Sequence, residues 1–392
     1  MTGPRLRPLP VPSGKAALGV LADLRRALDG AGPAVAPHAL HSPPPLIPDD
    51  LSHLPQGLAL TIGTSGSTGP PKVVMLTRDA LRASADATHE RLGGQGQWVL
   101  TMPAHHIAGI QVLVRSLVAG TTPVAMDLAA GFTTAAFTRA TDEIASGSTA
   151  YTALVPTQLV RLLADAAGRR SLLRYAAVLL GGAAAPPVLL AQARDAGVRL
   201  LTTYGMSETA GGCVYDGRAF GVSLLRLEGD GRIRLGGATL AQGYLGEPAL
   251  TAVAFSADDS GWRWFRTEDV GHLDDSGALV VDGRIDDLIN TGGLKVAPRL
   301  VEEALAQLDA VAEAFVVGTP DPEWGEVVSA ALVLTRGNSA PTLDEVRGQL
   351  RGILPDHALP RRLATLPALP LRGPGKPDRA AVRRHFDPDG RA

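Results

Sequence analysis

Short apolar runs at residues 58–62, 98–102, 122–126, 150–155, 176–180 and 199–202 recur between longer segments rich in Ala, Leu and Arg. Each run is the length of a strand, and each spacer can hold a helix. Strands separated by helical crossovers pair in parallel, because a dozen or more residues are needed to return the chain to the same sheet edge. The pattern predicts an α/β fold with a large N-terminal domain of mixed, mostly parallel sheets flanked by helices. Upstream, Leu18, Leu21, Leu24 and Leu28 lie at helical spacing within residues 15–28, and the Pro-rich stretch 41–55 reads as an extended arm. From 221 to 281 helical periodicity fades. Gly229-Asp230-Gly231 and Asp275-Ser276-Gly277 mark turns there, which predicts a β-rich subdomain. Beyond Asp287, a helix over 298–308, strands over 312–317 and 327–334, a helix over 343–354 and a polar tail predict a smaller α+β domain.

Composition narrows the functional classes. Of the 392 residues 45% are apolar and 19% charged, so the chain can bury a core and is not disordered. Lys plus Arg number 37 against 39 Asp plus Glu, a formal charge of −2, which gives no general attraction to nucleic acid or anionic membranes. A single cysteine, Cys213, excludes an intramolecular disulfide framework and any multi-cysteine metal site. Beside the nucleotide motif described below, it reads as a small buried residue rather than a nucleophile. No uninterrupted apolar run reaches the roughly 18 residues of a membrane span. The basic N-terminus has no apolar segment behind it, so a secretory signal is not expected. A cytoplasmic, reduced, soluble protein is the expectation.

The strongest chemical signal directly follows the first run: Thr64-Ser65-Gly66-Ser67-Thr68-Gly69-Pro70-Pro71-Lys72. Hydroxyls, glycines and an ammonium at a strand end suit a polyphosphate, since Gly66 and Gly69 let backbone N–H groups approach the oxygens. The Walker A spacing is absent. A flexible Gly/Ser turn is the alternative, which the trailing Pro-Pro-Lys disfavours. Other segments carry complementary chemistry. Tyr204 can stack on a purine while Gly205 admits the ligand, or it can be a core tyrosine. Ser207 can donate to an α-phosphate, and Glu208 can hold Mg²⁺, which takes one or two carboxylates plus phosphate oxygens. Asp269 can accept both ribose hydroxyls and Arg284 can donate to the same ribose; singly, each of these charges also fits a solvated surface. Lys376, in a Gly/Pro-flanked loop, can sit between two anionic reactants, or be one more cation of the tail.

These segments together resemble the adenylate-forming superfamily of acyl-CoA synthetases, luciferases and peptide-synthetase adenylation domains. The likeness runs in order through Thr64–Lys72, Leu179-Leu180-Gly181-Gly182-Ala183-Ala184-Ala185-Pro186, Tyr204-Gly205-Met206-Ser207-Glu208-Thr209, Phe265-Arg266-Thr267-Glu268-Asp269, Gly283-Arg284-Ile285-Asp286-Asp287-Leu288-Ile289-Asn290-Thr291-Gly292-Gly293 and Gly373-Pro374-Gly375-Lys376. The resemblance implies ATP, Mg²⁺ and coenzyme A as cofactor and co-substrates. Thr64, Ser65, Gly66, Ser67, Thr68, Gly69, Lys72 and Ser207 would bind phosphates. Gly182, Ala183, Tyr204, Gly205, Met206, Asp269 and Arg284 would bind adenine and ribose. Glu208 would hold the metal, Gly292 and Gly293 would border the CoA tunnel, and Lys376, Glu208 and His106 would serve catalysis. It also implies domains at 1–285 and 286–392, the second mobile about a hinge at Asp286. Two departures concern loop geometry: Val73 and Glu268 stand where the family has glycine, and Glu268 would be strained if its φ had to be positive.

Met102-Pro103-Ala104-His105-His106-Ile107-Ala108-Gly109 resembles the family segment whose histidine or aromatic residue borders the acyl pocket; the resemblance puts His106 in that place, with Thr152 and Ala184 as further candidates. Arg115 follows on an apolar helix; it either snorkels to the surface or pairs with a substrate carboxylate. This segment, the basic residue nine positions past its histidine, and the compact length are similar to o-succinylbenzoate–CoA ligases of menaquinone biosynthesis. The implied reaction is adenylation of a carboxylate followed by thioester formation. Another aryl- or acyl-CoA ligase, a stand-alone carrier-loading adenylation enzyme and a non-catalytic nucleotide-binding relative are the alternatives. The expected partners are a small-molecule carboxylic acid, ATP and CoA, with no nucleic acid, no membrane insertion, and a homodimer left open.

Overall fold

The computed structural model describes residues 5–48, 54–64, 72–372 and 376–386, the side chains of Arg372 and Lys376 excepted. The chain divides into two compact units, one of the described residues up to 226 with 234–267, the other of 227–233 with the described residues from 268 on.

The first unit is built on a seven-stranded sheet whose spatial order is Arg218–Ala219, Gly211–Tyr215, Leu200–Met206, Ala177–Leu180, Ala150–Leu154, Gln97–Leu100 and Val124–Ala125. The last five strands pair in parallel, and they coincide with five of the six apolar runs. Gly211–Tyr215 folds back antiparallel on Leu200–Met206. Helices pack on the sheet because each presents an apolar stripe: Phe137, Leu159, Leu162 and Leu189 join Val99, Leu154 and Leu180 in one buried cluster. The helix Arg78–Leu92 starts where Thr77 Oγ1 accepts the Ala80 N–H at 3.2 Å and ends at Gly93, whose φ is 95°.

A second, five-stranded sheet departs from the sequence reading. Its order is Leu6–Val11, Ala34–Ala39, Leu58–Thr64, Lys72–Thr77 and Gly243–Tyr244. The first two strands were not expected, because prolines interrupt both. Pro8 and Pro10 are tolerated since Leu6–Val11 is an edge strand, and residues two apart point their missing N–H groups the same way. Pro37 lies in an inner strand, but the ladder to Leu58–Thr64 is registered only at Val35↔Leu60, before the proline is reached. The predicted helix over 15–28 is a 3-10 stretch, Gly14–Val20, followed by an α-helix, Leu21–Leu28; Ser13 provides no side-chain cap, and Gly19, a poor helix former, lies just before the junction.

The region expected to be β-rich contains Ser223–Leu227, Arg232–Gly237, Phe255–Ala257, Arg263–Leu273 and Leu279–Arg284, with the turn glycines Gly231 and Gly277 at φ of 80° and 76°. A short helix, Pro248–Ala254, interrupts it, started by proline at its first position. The second unit packs Pro298–Leu305 and Leu343–Leu350 on a sheet of Leu294–Val296, Ile289–Thr291, Gly325–Leu334, Val311–Asp321 and Arg362–Thr365. The polar tail is not wholly irregular. Arg379–Arg384 is a helix capped by Asp378, and it buries Val382.

Candidate active site

Thr64 and Lys72 face each other as register partners of an antiparallel pair, and the Thr64 hydroxyl donates to the Lys72 carbonyl at 3.2 Å. The two ends of the predicted phosphate segment are thereby held together at one sheet end. Ser65, Gly66, Ser67, Thr68 and Gly69 lie outside the described residues. Val73 occupies a regular ladder position opposite Gly63. The Lys72 ammonium sits 5.4 Å from the centroid of the Tyr244 ring.

The Tyr204–Thr209 segment runs off the end of the strand Leu200–Met206 into a single 3-10 turn, Ser207–Thr209. Gly205 is required there: its φ is 153°, and a Cβ would lie 2.3 Å from the Gly211 carbonyl oxygen. Thr209 pins the turn, its hydroxyl accepting the Met206 N–H at 3.0 Å and donating to Gly211 O at 2.7 Å. Ala210 follows in the left-handed region at φ 53°. Its carbonyl accepts from Ser84 Oγ at 3.0 Å and from Gln111 Nε2 at 2.5 Å, so two helices clamp the turn from behind. Ser207 and Glu208 are buried in consequence, Glu208 with 8% exposure, and Glu208 Oε1 accepts the Tyr244 hydroxyl at 2.9 Å. Ser84, Gln111 and Tyr244 were missed by sequence reasoning. Nothing in a lone Ser, Gln or Tyr marks it, and only the fold brings them to the motif.

Glu208 is a donor suited to a hard cation, but among the described residues no group of three His, Cys, Asp or Glu side chains gathers to hold a metal. Such a site fits Mg²⁺ carried in on a nucleotide, where phosphate oxygens and water complete the coordination sphere.

In the segment expected to border the acid, His106 is the N-cap of the helix Ile107–Ala119 and its ring lies 4.2 Å from that of His105. Both line a cavity of about 240 Å³ with His38, Thr61, Gly63 and Val73. Burial lowers the His105 imidazole to about 4, with His106 and His38 adding to the shift. Arg115, on the same helix, overturns one of its two readings. It does not snorkel: it is 4% exposed. Its Nη2 donates to the Tyr215 hydroxyl at 3.4 Å, and its guanidinium lies 5.0 Å over the Trp98 ring. Among the described residues its Nε has no hydrogen-bond partner, and neither does Oε1 of Gln111 one turn away. Burial lowers the affinity of Arg115 for its proton, an effect the Tyr215 phenol partly offsets. Thr152 is fully buried and its hydroxyl donates to the Val99 carbonyl at 3.0 Å, so it is already committed to the sheet. Gly182, Ala183 and Ala184 are exposed in the loop after Ala177–Leu180, with Gly182 at φ 79°. Cys213 is buried and its thiol is pushed up to about 12, which disposes of nucleophilic chemistry there.

The second unit carries the remaining candidates. Asp269 and Arg284 are register partners on adjacent strands, and Arg284 lies between two carboxylates, 4.0 Å from Asp269 and 3.8 Å from Asp286. Glu268 sits in the strand Arg263–Leu273 and is not among the residues with positive φ, so the expected strain is absent. Asp286 lies in a 3-10 turn, Ile285–Asp287. Gly292 and Gly293, with φ of 58° and 80°, form the tight turn of the hairpin Ile289–Thr291/Leu294–Val296. The backbone of Lys376 pairs with that of Arg372.

Comparison with known proteins places these features. The profile of the AMP-binding enzyme family matches residues 25–245, and that of the AMP-binding enzyme C-terminal domain matches residues 300–376. A probable 2-succinylbenzoate–CoA ligase of Mycobacterium tuberculosis is 44% identical over 384 residues, covering 97% of this chain and 98% of its own. The o-succinylbenzoate coenzyme A synthetase of Bacillus subtilis, solved with AMP, is 29% identical with a TM-score of 0.70, covering 83% of this chain and 69% of its own. The amide bond synthetase McbA of Marinactinospora thermotolerans is 25% identical with a TM-score of 0.78, covering 98% and 90%. With one profile spanning more than half of its length and a relative matched nearly end to end, the chain belongs to the AMP-binding enzyme family.

Proposed function

We propose that this enzyme joins o-succinylbenzoate to coenzyme A at the expense of ATP, in the cytoplasm, as a step of menaquinone biosynthesis. One carboxylate oxygen of the acid attacks the α-phosphorus of ATP, and pyrophosphate leaves. The CoA thiol then adds to the acyl carbonyl, and AMP leaves. Ser207 and Lys72, with the rest of the 64–72 segment, hold the phosphates. Glu208 would hold Mg²⁺, which would supply positive charge to the phosphate oxygens. Tyr204, Gly205 and Met206, with Gly182 and Ala183, border the adenine, and Asp269 and Arg284 bind the ribose. His106 borders the acid. Lys376 brings an ammonium to the two anionic reactants. Gly292 and Gly293 border the thiol's route.

The choice of acid is carried by the relative matched nearly end to end, the probable 2-succinylbenzoate–CoA ligase of Mycobacterium tuberculosis. A buried guanidinium with only a phenol and an indole ring beside it would gain from a carboxylate. The second, unreacted carboxylate of o-succinylbenzoate would offset that cost on reaching Arg115, which is not among the residues lining the cavity beside His106.

Pyrophosphate release tests the reading. The rate with o-succinylbenzoate should exceed the rates with benzoate and medium-chain monocarboxylates by orders of magnitude in kcat/KM. Equal rates with monocarboxylates would assign the enzyme to another acyl-CoA ligase. Adenylation of o-succinylbenzoate without thioester formation would point to carrier loading or to amide synthesis of the McbA kind.

A further inference from the structure

We infer that Tyr244 is a positioning residue that ties the metal-binding carboxylate to the phosphate-binding lysine. The inference rests on the proposed role of Glu208 and extends it to a residue outside every motif described above. Tyr244 is 4% exposed and lies in the two-residue strand Gly243–Tyr244, which pairs with Lys72–Thr77 through Tyr244↔Val74. The phenol therefore stands beside the strand that begins at Lys72. It is held from both sides: its N–H donates to Thr251 Oγ1 at 2.9 Å, and its ring meets Phe255 edge-on at 5.7 Å. From this fixed base the hydroxyl donates to Glu208 Oε1, while the ring face lies beneath the Lys72 ammonium.

The two contacts act on different groups of one ligand. A carboxylate with one oxygen held by a phenol loses rotational freedom, which would keep it in one orientation for a cation. An ammonium over an aromatic face is attracted by the ring quadrupole, which narrows the directions its flexible stem takes. Glu208 is further pinned through its backbone, its carbonyl accepting the Ala241 N–H at 2.8 Å, just three residues before Tyr244. Residues 241–244 thus fix Glu208 at both main chain and side chain.

Tyr244→Phe removes the hydroxyl and keeps the ring, its packing and the contact with Lys72. Titration of Mn²⁺ into enzyme and ATP without acid, followed by electron paramagnetic resonance, reads metal binding apart from turnover. The Phe variant should bind Mn²⁺–ATP about tenfold more weakly, the scale of one hydrogen bond to a charged group. Its affinity for metal-free ATP and its melting temperature should stay near the parent values. Tyr244→Leu should weaken metal-free ATP binding as well, because it also takes the ring from Lys72. Glu208→Gln separates the two levels of the claim. If it leaves Mn²⁺ affinity unchanged, the role of Glu208 falls. If it weakens Mn²⁺ binding while Tyr244→Phe does not, only the role of Tyr244 falls. A Phe variant that melts earlier yet titrates like the parent makes Tyr244 merely structural and overturns the inference.

Discussion

Arg115 meets a phenol and an indole ring inside the protein but, among the described residues, no carboxylate. Two effects of removing its charge should therefore separate. Arg115→Met keeps most of the volume and discards the desolvation penalty, so urea unfolding should show stability unchanged or raised. The same variant should lose about 10- to 100-fold in kcat/KM for o-succinylbenzoate and little for a monocarboxylate, the scale of a charge-assisted hydrogen bond. Equal losses for both acids would sever Arg115 from selectivity. Beside it, His89 accepts from Trp98 Nε1 at 3.3 Å, and burial together with the Arg115 charge lowers its imidazole from 6.5 to about 4. Folded His89 is thus neutral where the unfolded chain already takes up a proton. Stability should be full above about pH 6.5 and decline as pH falls toward 4. Urea midpoints at pH 7.5 and pH 5 measure the decline, and His89→Gln should shrink the difference; an unchanged difference assigns it elsewhere. The sequence made Arg115 visible as a charge on an apolar helix. It could not show on which side of that helix the charge lies, because burial depends on Trp98 and Tyr215, which arrive from distant segments.

At the level of elements, the apolar runs read well because a strand buried on both faces needs an unbroken apolar stretch, and residues 150–154 and 177–180 are buried throughout. The strands Leu6–Val11 and Ala34–Ala39 were illegible for a physical reason. Proline forbids a central ladder position, and only the edge placement of the first strand and the short pairing of the second make them possible. The motif Tyr204–Thr209 was legible as chemistry, yet its support was not, since Ser84 and Gln111 reach Ala210 from helices more than 90 residues away in sequence. Gly205 couples the element to the motif. Gly205→Ala should force the strands Leu200–Met206 and Gly211–Tyr215 apart and weaken ATP binding by at least tenfold in calorimetry, while Gly182→Ala, strained by its φ of 79° but with a Cβ that among the described residues meets Val155 Cγ1 at 3.4 Å and no backbone atom, should do less harm. Comparable affinities in the two variants would contradict the close approach.

For the whole molecule, the packing boundary falls between Thr267 and Glu268, whereas the expected hinge is Asp286. The two need not coincide, because a packing boundary reports contacts and a pivot reports a freely turning bond. Asp286 sits in a 3-10 turn closed by Leu288 N–H donating to Ile285 O at 3.4 Å, a bond its own N–H does not make. Asp286→Pro should therefore fit the observed turn and resist rotation away from it. Acyl-AMP formation and thioester formation, timed separately, should show one half-reaction retained and the other slowed by at least tenfold. Equal rates for both would move the pivot elsewhere. The central claim is that the chain activates an acid by adenylation, and exchange of radiolabelled pyrophosphate into ATP tests it most directly. The exchange should depend on added o-succinylbenzoate and on Mg²⁺. Its absence with o-succinylbenzoate and with every other carboxylic acid would contradict the account.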